Sequence, residues 1–447
     1  MLRCVQMMSG GRRERDRALR GGWCGGWRGG WRALGALALV ALIALATDAS
    51  AEGKTSPVVD IDALWRALHH ADRFVDPVSE QGQKARGLYF NGPMQKHLGA
   101  KRIIATLRNA GLDAAVLDLK DGEGRVTYDT QVALVEPQEE HFVPDMPRMV
   151  AELHEAGMYA IARIVCFSDP KLPRTHPELA VMDGRPRHEG EVWGKDWTNR
   201  NTWLDPYNEK NHELVRALAD EAEAMGFDEV QLDYVRFPVD GATKFAVFPA
   251  KDDRKRSEVI LALLRRLDEA LSIPLGVDVF GVTAFRRGDP DGLGQLPEEW
   301  ARYVEVFSPM LYINGMTEMG NKASDRRAGG LIYTAIKNLS RRLGHGPVLR
   351  PFMQAFPQGA DNFGADFIAE QVMAARAGGA DGFLFWHPAS NYGAVREGML
   401  GPARGQTPFP IDARLTWRKQ TWADRMSAAA RVRYLGPPVR RVPAYAQ

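Results

Sequence analysis

Cysteine is nearly absent, with three in 447 residues, at positions 4, 24 and 166. Two of these fall in the first 51 residues, so the body keeps only Cys166 and has no internal disulfide. Such a chain relies on its hydrophobic core, which a body of this size can build. A charge excess is also missing: 58 Lys+Arg stand against 56 Asp+Glu. The balance is uneven along the chain. Residues 1–51 hold 8 basic and 3 acidic residues, residues 401–447 hold 9 and 2, and residues 52–400 hold 41 and 51. An acidic body argues against nucleic acid as a partner, because phosphate binding needs a basic surface. The ten histidines show no tight ligand spacing, so no metal site is expected.

No apolar run reaches the ~20 residues of a spanning helix. The 14-residue run Ala33–Ala46 instead follows a series of arginines and precedes Ala49-Ser50-Ala51, an A-x-A cleavage pattern. Residues 1–51 therefore read as a signal peptide, and the protein as exported, secreted or held in the periplasm or cell envelope. Membrane contact is expected only if that segment stays uncleaved. Residues 52–83 read as an N-terminal extension and 401–447 as a basic, Arg/Pro-rich tail, mobile and solvated.

Between them, residues 84–400 repeat one pattern: a short apolar run ending in polar residues, then an amphipathic stretch. The runs are Gly87–Phe90, Ala114–Leu119, Ala160–Val165, Glu229–Asp233, Leu275–Phe280, Val306–Tyr312, Val348–Gln354 and Gly382–Trp386. Helical periodicity covers Ala100–Ala110, Met146–Ala156, Glu209–Met225, Asp253–Leu271, Asp325–Leu343 and Asp366–Ala377. Glycines 111, 157, 226, 344 and 378 stand where helices should stop. Eight alternating units predict an α/β chain folded as a (β/α)8 TIM barrel. An open doubly wound sheet would want a glycine-rich turn after its first strand, and Asn91-Gly92-Pro93-Met94 is not one.

In such a barrel the site lies at the C-terminal ends of the strands, and every second residue faces inward. In Glu229-Val230-Gln231-Leu232-Asp233, alternation turns Gln231 and Asp233 inward, and the same logic turns Asp278 inward. Val116, Asp118 and Lys120 share a face, as do Arg163 and Val165, and Ser308, Met310 and Tyr312. Asp233 and Asp278 end neighbouring strands ~4.8 Å apart. Two carboxyls so placed can lie ~5 Å apart, the spacing of a retaining glycosidase. The opposing expectation is a fixed ion network, with Asp233 on Arg236 and Asp278 on Arg163. Asp118 and Asp121 flank Lys120, which suggests a structural or substrate-positioning ion pair.

The stretch Asp118-Leu119-Lys120-Asp121-Gly122-Glu123-Gly124 and the stretch Gly226-Phe227-Asp228-Glu229-Val230-Gln231-Leu232-Asp233-Tyr234-Val235-Arg236-Phe237-Pro238 carry a resemblance. They resemble the putative glycosyl hydrolase domain family of bacterial secreted and envelope proteins, a TIM-barrel glycosidase-like group. The likeness runs from about Lys84 to Leu400. It implies sugar-bond chemistry at the barrel mouth and a site role for Asp233. Related barrel glycosidases often place a nucleophilic Asp at the end of strand 4 and a Glu donor on strand 5. Asp278 stands where that Glu would, and Asp118 is its substitute.

Sugar binding needs stacking rings and polar side chains. The long loop from Phe167 to Asn208 holds Trp193, Trp197, Trp203, Tyr207, His176 and His188, and reads as a lid or subsite wall whose tryptophans can also pin it to the barrel. Candidate substrate contacts are Asp118, Lys120, Asp121, Arg163, Asp205, Arg236, Tyr312, Gln354, Trp386 and His387. His387 could instead cap a helix or bond Asp233.

Other chemistries lack their residues. Leu88-Tyr89-Phe90-Asn91 has no H-x-H, the sixth run has no lysine for a Schiff base, and Cys166 has no histidine nearby in sequence and reads as a buried thiol. No cofactor is expected. The sequence thus predicts a glycoside hydrolase using two carboxylates on an extracellular or cell-envelope polysaccharide. The alternative is a non-catalytic carbohydrate-binding or wall-associated barrel.

Overall fold

The computed structural model describes residues 78–135, 142–194, 202–289, 291–316, 327–344, 346–360 and 363–400. The predicted leader, most of the extension, the tail and Trp197 lie outside the described residues.

Eight strand positions form one parallel sheet that closes on itself. They are β1 (Arg86–Phe90), β2 (Ala114–Lys120), β3 (Tyr159–Val165), β4 (Glu229–Asp233), β5 (Leu275–Phe280), β6 (Val306–Leu311), β7 (Val348–Leu349 continuing as Phe352–Gln354) and β8 (Phe383–Trp386). Neighbours in sequence are neighbours in space, and β8 closes the ring on β1 through Arg86↔Phe383. This is a TIM barrel, as the alternation of short runs and helices predicts. β7 is broken at Arg350-Pro351, where proline has no N–H for the ladder.

The helices between the strands include α1 (Gly92–Asn109), α2 (Met146–Glu155), α3 (Glu209–Ala224), α4 (Arg256–Ala270), α5 (Pro297–Trp300), α6 (Arg327–Leu343) and α7 (Ala365–Gly378), and α8 (Gly393–Leu400) follows the last strand. α1 starts earlier than its periodicity suggests. Asn91 caps Met94 N–H, Pro93 opens the first turn, and the chain kinks at Gly99 before the amphipathic part begins. α5 is a single turn, so the fifth unit has almost no helix. α7 ends one residue later than expected: Gly378 is helical and Gly379, at φ 103°, takes the left-handed position.

Alternation along the strands divides the core in two. Tyr89, Val116, Tyr159, Ile161, Phe352 and Leu384 pack together inside the barrel. Their sequence neighbours, such as Leu88, Ala115, Ala160, Met353 and Phe385, join the larger layer between sheet and helices.

The bottom of the barrel is closed by charge as well as bulk. Glu229, the first residue of β4, and Arg350 are both fully buried and ion-paired. Arg350 Nη1 also donates to Gly82 O at 2.9 Å, and Tyr159 OH donates to Glu229 at 3.2 Å. Gly82 belongs to a short helix, Glu80–Gln83, pressed so close that a Cβ there would lie 2.7 Å from the Tyr159 hydroxyl. The end of the predicted extension is thus a plug under the barrel. Burial pushes the Glu229 carboxyl up, against the opposing pull of Arg350.

Removing one partner of a buried pair strands the other charge. Arg350→Met is expected to lower unfolding free energy by about 3–5 kcal/mol in urea, and adding Glu229→Gln should restore part of it. Equal stability of the single and double variants would contradict this account.

Candidate active site

At the opposite end of the barrel, β2 to β5 aim polar side chains at one point. Arg163, on β3, stands at the centre. Its Nη1 donates to Asp118 Oδ1 on β2. Its Nε and Nη2 donate to Asp233 Oδ2 on β4 at 3.2 and 2.5 Å. The same Nε lies 3.9 Å from Asp278 Oδ2 on β5. One guanidinium nitrogen therefore faces both Asp233 and Asp278, which caps the distance between those two oxygens at about 7 Å. That cap admits both the ~5 Å spacing of retaining and the lower part of the range of inverting glycosidases.

The carboxyls differ in what holds them. Asp233 accepts on both oxygens, because the Tyr234 N–H donates to Oδ1 at 2.6 Å. Tyr234 has φ 49°, a left-handed conformation that costs a tyrosine energy. Asp278 is held on one oxygen only. Gln231 Nε2 donates to its Oδ1 at 2.9 Å and to Ser308 Oγ at 2.8 Å, while Asp278 Oδ2 has no hydrogen-bond partner. Burial, then the charge of Asp233, pushes the Asp278 carboxyl well above the usual range, with Arg163 pulling the other way. Asp118 accepts from Tyr89 OH at 2.6 Å and is pushed up to about 6, chiefly by burial, again against Arg163.

Aromatic rings flank the charged centre. Trp386, at the end of β8, has its ring centroid 6.1 Å from Tyr89, 5.5 Å from Tyr312 and 5.4 Å from Phe356. The Tyr312 hydroxyl is pushed up by burial and then by the charges of Asp278 and Asp233. On the other side Trp203, Tyr234 and Phe280 surround the Arg236 guanidinium at 4.9, 5.2 and 4.7 Å.

Residues 87–392 match the putative glycosyl hydrolase domain. The chain belongs to that family. Membership places this putative glycosyl hydrolase among glycosidases built on the barrel. A hypothetical protein from Ruminiclostridium thermocellum ATCC 27405 is 30% identical over 43% of this chain and 97% of its own, with a TM-score of 0.37. The PgaB (BpsB) glycoside hydrolase domain from Bordetella bronchiseptica is 14% identical over 71% of this chain and 99% of its own, with a TM-score of 0.51, a likeness of fold. No curated protein matches.

Within this glycosyl hydrolase domain, several side chains singled out from sequence have other partners. Asp233 pairs with Arg163, and Arg236 reaches Phe237 O and Asp240 instead. Lys120 pairs with neither flanking aspartate. It lies buried against Asp169 at 2.9 Å and Val165 O at 3.0 Å. Asp121 folds its own loop, accepting from Glu123 N and Arg125 N and pairing with Arg125. Asp205 spends its oxygens on Tyr207 N and Ala250 N. Gln354 ties loops through Asn314 N, Phe356 O and Gln358 O. His387 Nδ1 accepts from Ala389 N, and among the described residues His387 makes no bond to Asp233. In the long loop Trp193 donates to Ala242 O, an anchor, and Trp203 backs Arg236. Cys166 is buried and free, and burial pushes its thiol up.

Two contributors escape sequence reasoning. Tyr89 bears on Asp118 and, by cation–π contact at 5.2 Å, on Arg163. Alternation with Gly87 could have found it. Gln295, on an irregular loop, accepts from Phe280 N at 2.8 Å and reaches Val235 O and Asp278 O at 3.4 Å, knitting the tops of β4 and β5. No local pattern marks it.

Asp118 gives a signed prediction. Its folded value of about 6 exceeds the ordinary 3.8, so the folded state holds more protons between them. Its stabilising effect is complete below 3.8 and lost as pH rises through about 6. Asp118→Asn should flatten this part of the stability–pH curve, as read by urea unfolding from pH 3.5 to 7. An unchanged slope would contradict the assignment.

Proposed function

We propose that the barrel mouth hydrolyses a glycosidic bond of an extracellular or cell-envelope polysaccharide with two carboxyls, Asp233 and Asp278. The observation that carries this reading is their unequal holding. Arg163 and the Tyr234 amide serve Asp233, while Asp278 keeps an oxygen without a hydrogen bond, 3.9 Å from Arg163 Nε, in a setting that favours its proton. A carboxyl that burial keeps protonated, beside one held on both oxygens, fits an acid and a base or nucleophile.

In this mechanism Asp278 gives its proton to the leaving sugar oxygen as the C1–O bond breaks. Asp233, as the anion, either attacks C1 directly or takes a proton from the attacking water. Arg163 keeps Asp233 oriented, and Gln231, fixed by Ser308, orients Asp278. Trp386 and Tyr312 supply a face for stacking the sugar. The polysaccharide substrate and the export rest on the leader and on the family's chemistry.

The second reading, a binding-only barrel, is favoured by one observation: Asp278 is 1% exposed, so substrate must reach a carboxyl that is almost closed off.

Release of reducing ends from a panel of envelope polysaccharides separates the two. Asp233→Asn should lower kcat/KM by about a thousandfold or more, roughly 4 kcal/mol of transition-state stabilisation. Asp233→Asn cleaving as fast as wild type would remove Asp233 from the mechanism, and glycan binding without any cleavage by wild type would establish the second reading. Activity should fall at alkaline pH as Asp278 loses its proton. Asp278→Asn should lose this limb and retain most rate on aryl glycosides, whose leaving groups need no proton. An alkaline limb unchanged in Asp278→Asn would assign the acid elsewhere.

A further inference from the structure

Arg236 is a charged residue at the mouth that the hydrolytic scheme leaves unused. It lies just beyond the Asp233/Asp278 pair, for β4 and β5 are in register at Leu232↔Val277 and its guanidinium stands over Phe280, two residues past Asp278. The side chain is 4% exposed, and three rings crowd it within about 5 Å. A charge so deeply set is costly unless well paired. Its pairing is poor. A guanidinium has five N–H donors, and Arg236 makes two hydrogen bonds, Nη1 to Phe237 O at 3.1 Å and Nη2 to Asp240 Oδ2 at 3.4 Å. Asp240 is 74% exposed, so solvent weakens the one ion pair. The strong carboxylate nearby, Asp233, is committed to Arg163.

Resting on the glycosidase reading above, we propose that Arg236 recognises an oxyanion substituent on the sugar chain, a uronate carboxylate or an ester sulfate. Asp240 occupies that position until the substrate's own anion replaces it. The ring cage fixes the guanidinium plane for a bidentate contact beside the bond to be cleaved. The site is thereby selective for an acidic glycan over its neutral counterpart.

The test measures binding of the full chain to alginate, polygalacturonate and chondroitin sulfate, each beside its carboxyl-reduced or desulfated form, with reducing-end release recorded in parallel. Wild type should bind at least one acidic glycan and lose about tenfold or more affinity for its neutralised form. Whether carboxyl reduction or desulfation causes the loss identifies the anion. Arg236→Gln should show the same loss, and Arg236→Lys should recover part of it, which also controls for folding. Asp240→Asn should bind the acidic glycan several-fold more tightly, an effect that loss of a merely structural pair would not give. Absence of binding to every acidic glycan, wild-type selectivity in Arg236→Gln, or no tightening in Asp240→Asn would overturn the proposal. Selective binding without cleavage would instead overturn the glycosidase reading and leave this one standing.

Discussion

Three aspartates and one arginine share the upper interior of a closed barrel, and there is not enough positive charge to go round. Arg163 bonds Asp118 and Asp233 directly and stands 3.9 Å from Asp278. Buried carboxylates are tolerated when paired, and one that is not paired takes up a proton instead. The shortage itself therefore sets the carboxyls apart by how they are held: Asp118 and Asp233 receive the guanidinium, and Asp278 stands at its edge. The remaining polar side chains follow from this division: Tyr89 completes Asp118, the Tyr234 amide completes Asp233, and Gln231 with Ser308 fixes the free carboxyl without neutralising it.

The two ends of the barrel solve the same problem of buried charge in opposite ways. At the bottom, Glu229 and Arg350 match one to one and are joined by Tyr159 and Gly82. At the top, carboxyls outnumber the guanidinium. This fits the general division of the fold, with stability at the N-terminal face and chemistry at the C-terminal face.

Much of the architecture is written in local pattern. Strand alternation alone turns Gln231, Asp233, Asp278, Arg163 and Ser308 to the inside, and these side chains do meet there. Partner choice is not local. Whether Asp233 meets Arg163 or Arg236 depends on the register of β3 against β4 and on the path of the chain after Tyr234, and sequence spacing favours the nearer arginine. The same reason moves Lys120 from its flanking aspartates to Asp169, and gives Asp205 and Gln354 to loop backbone. Gln295 is illegible because its loop has no periodicity, and α5 because four residues are too few for a helical period to show.

The loops after β3 and β4 also meet each other. Met182–Asp183 pairs antiparallel with Ala246–Val247, Trp193 donates to Ala242 O, and Tyr207 packs on Phe237 and Phe248. Two segments far apart in sequence are thus fastened into one body that carries Trp203 and Arg236 together. A lengthened or shortened loop on one strand must be matched on the other to keep the fastening. On this side of the mouth, then, a change in one loop bears on the other, while the rim at β1 and β8 has a fastening of its own, from Asn91 to Pro388 O and Ser390 Oγ.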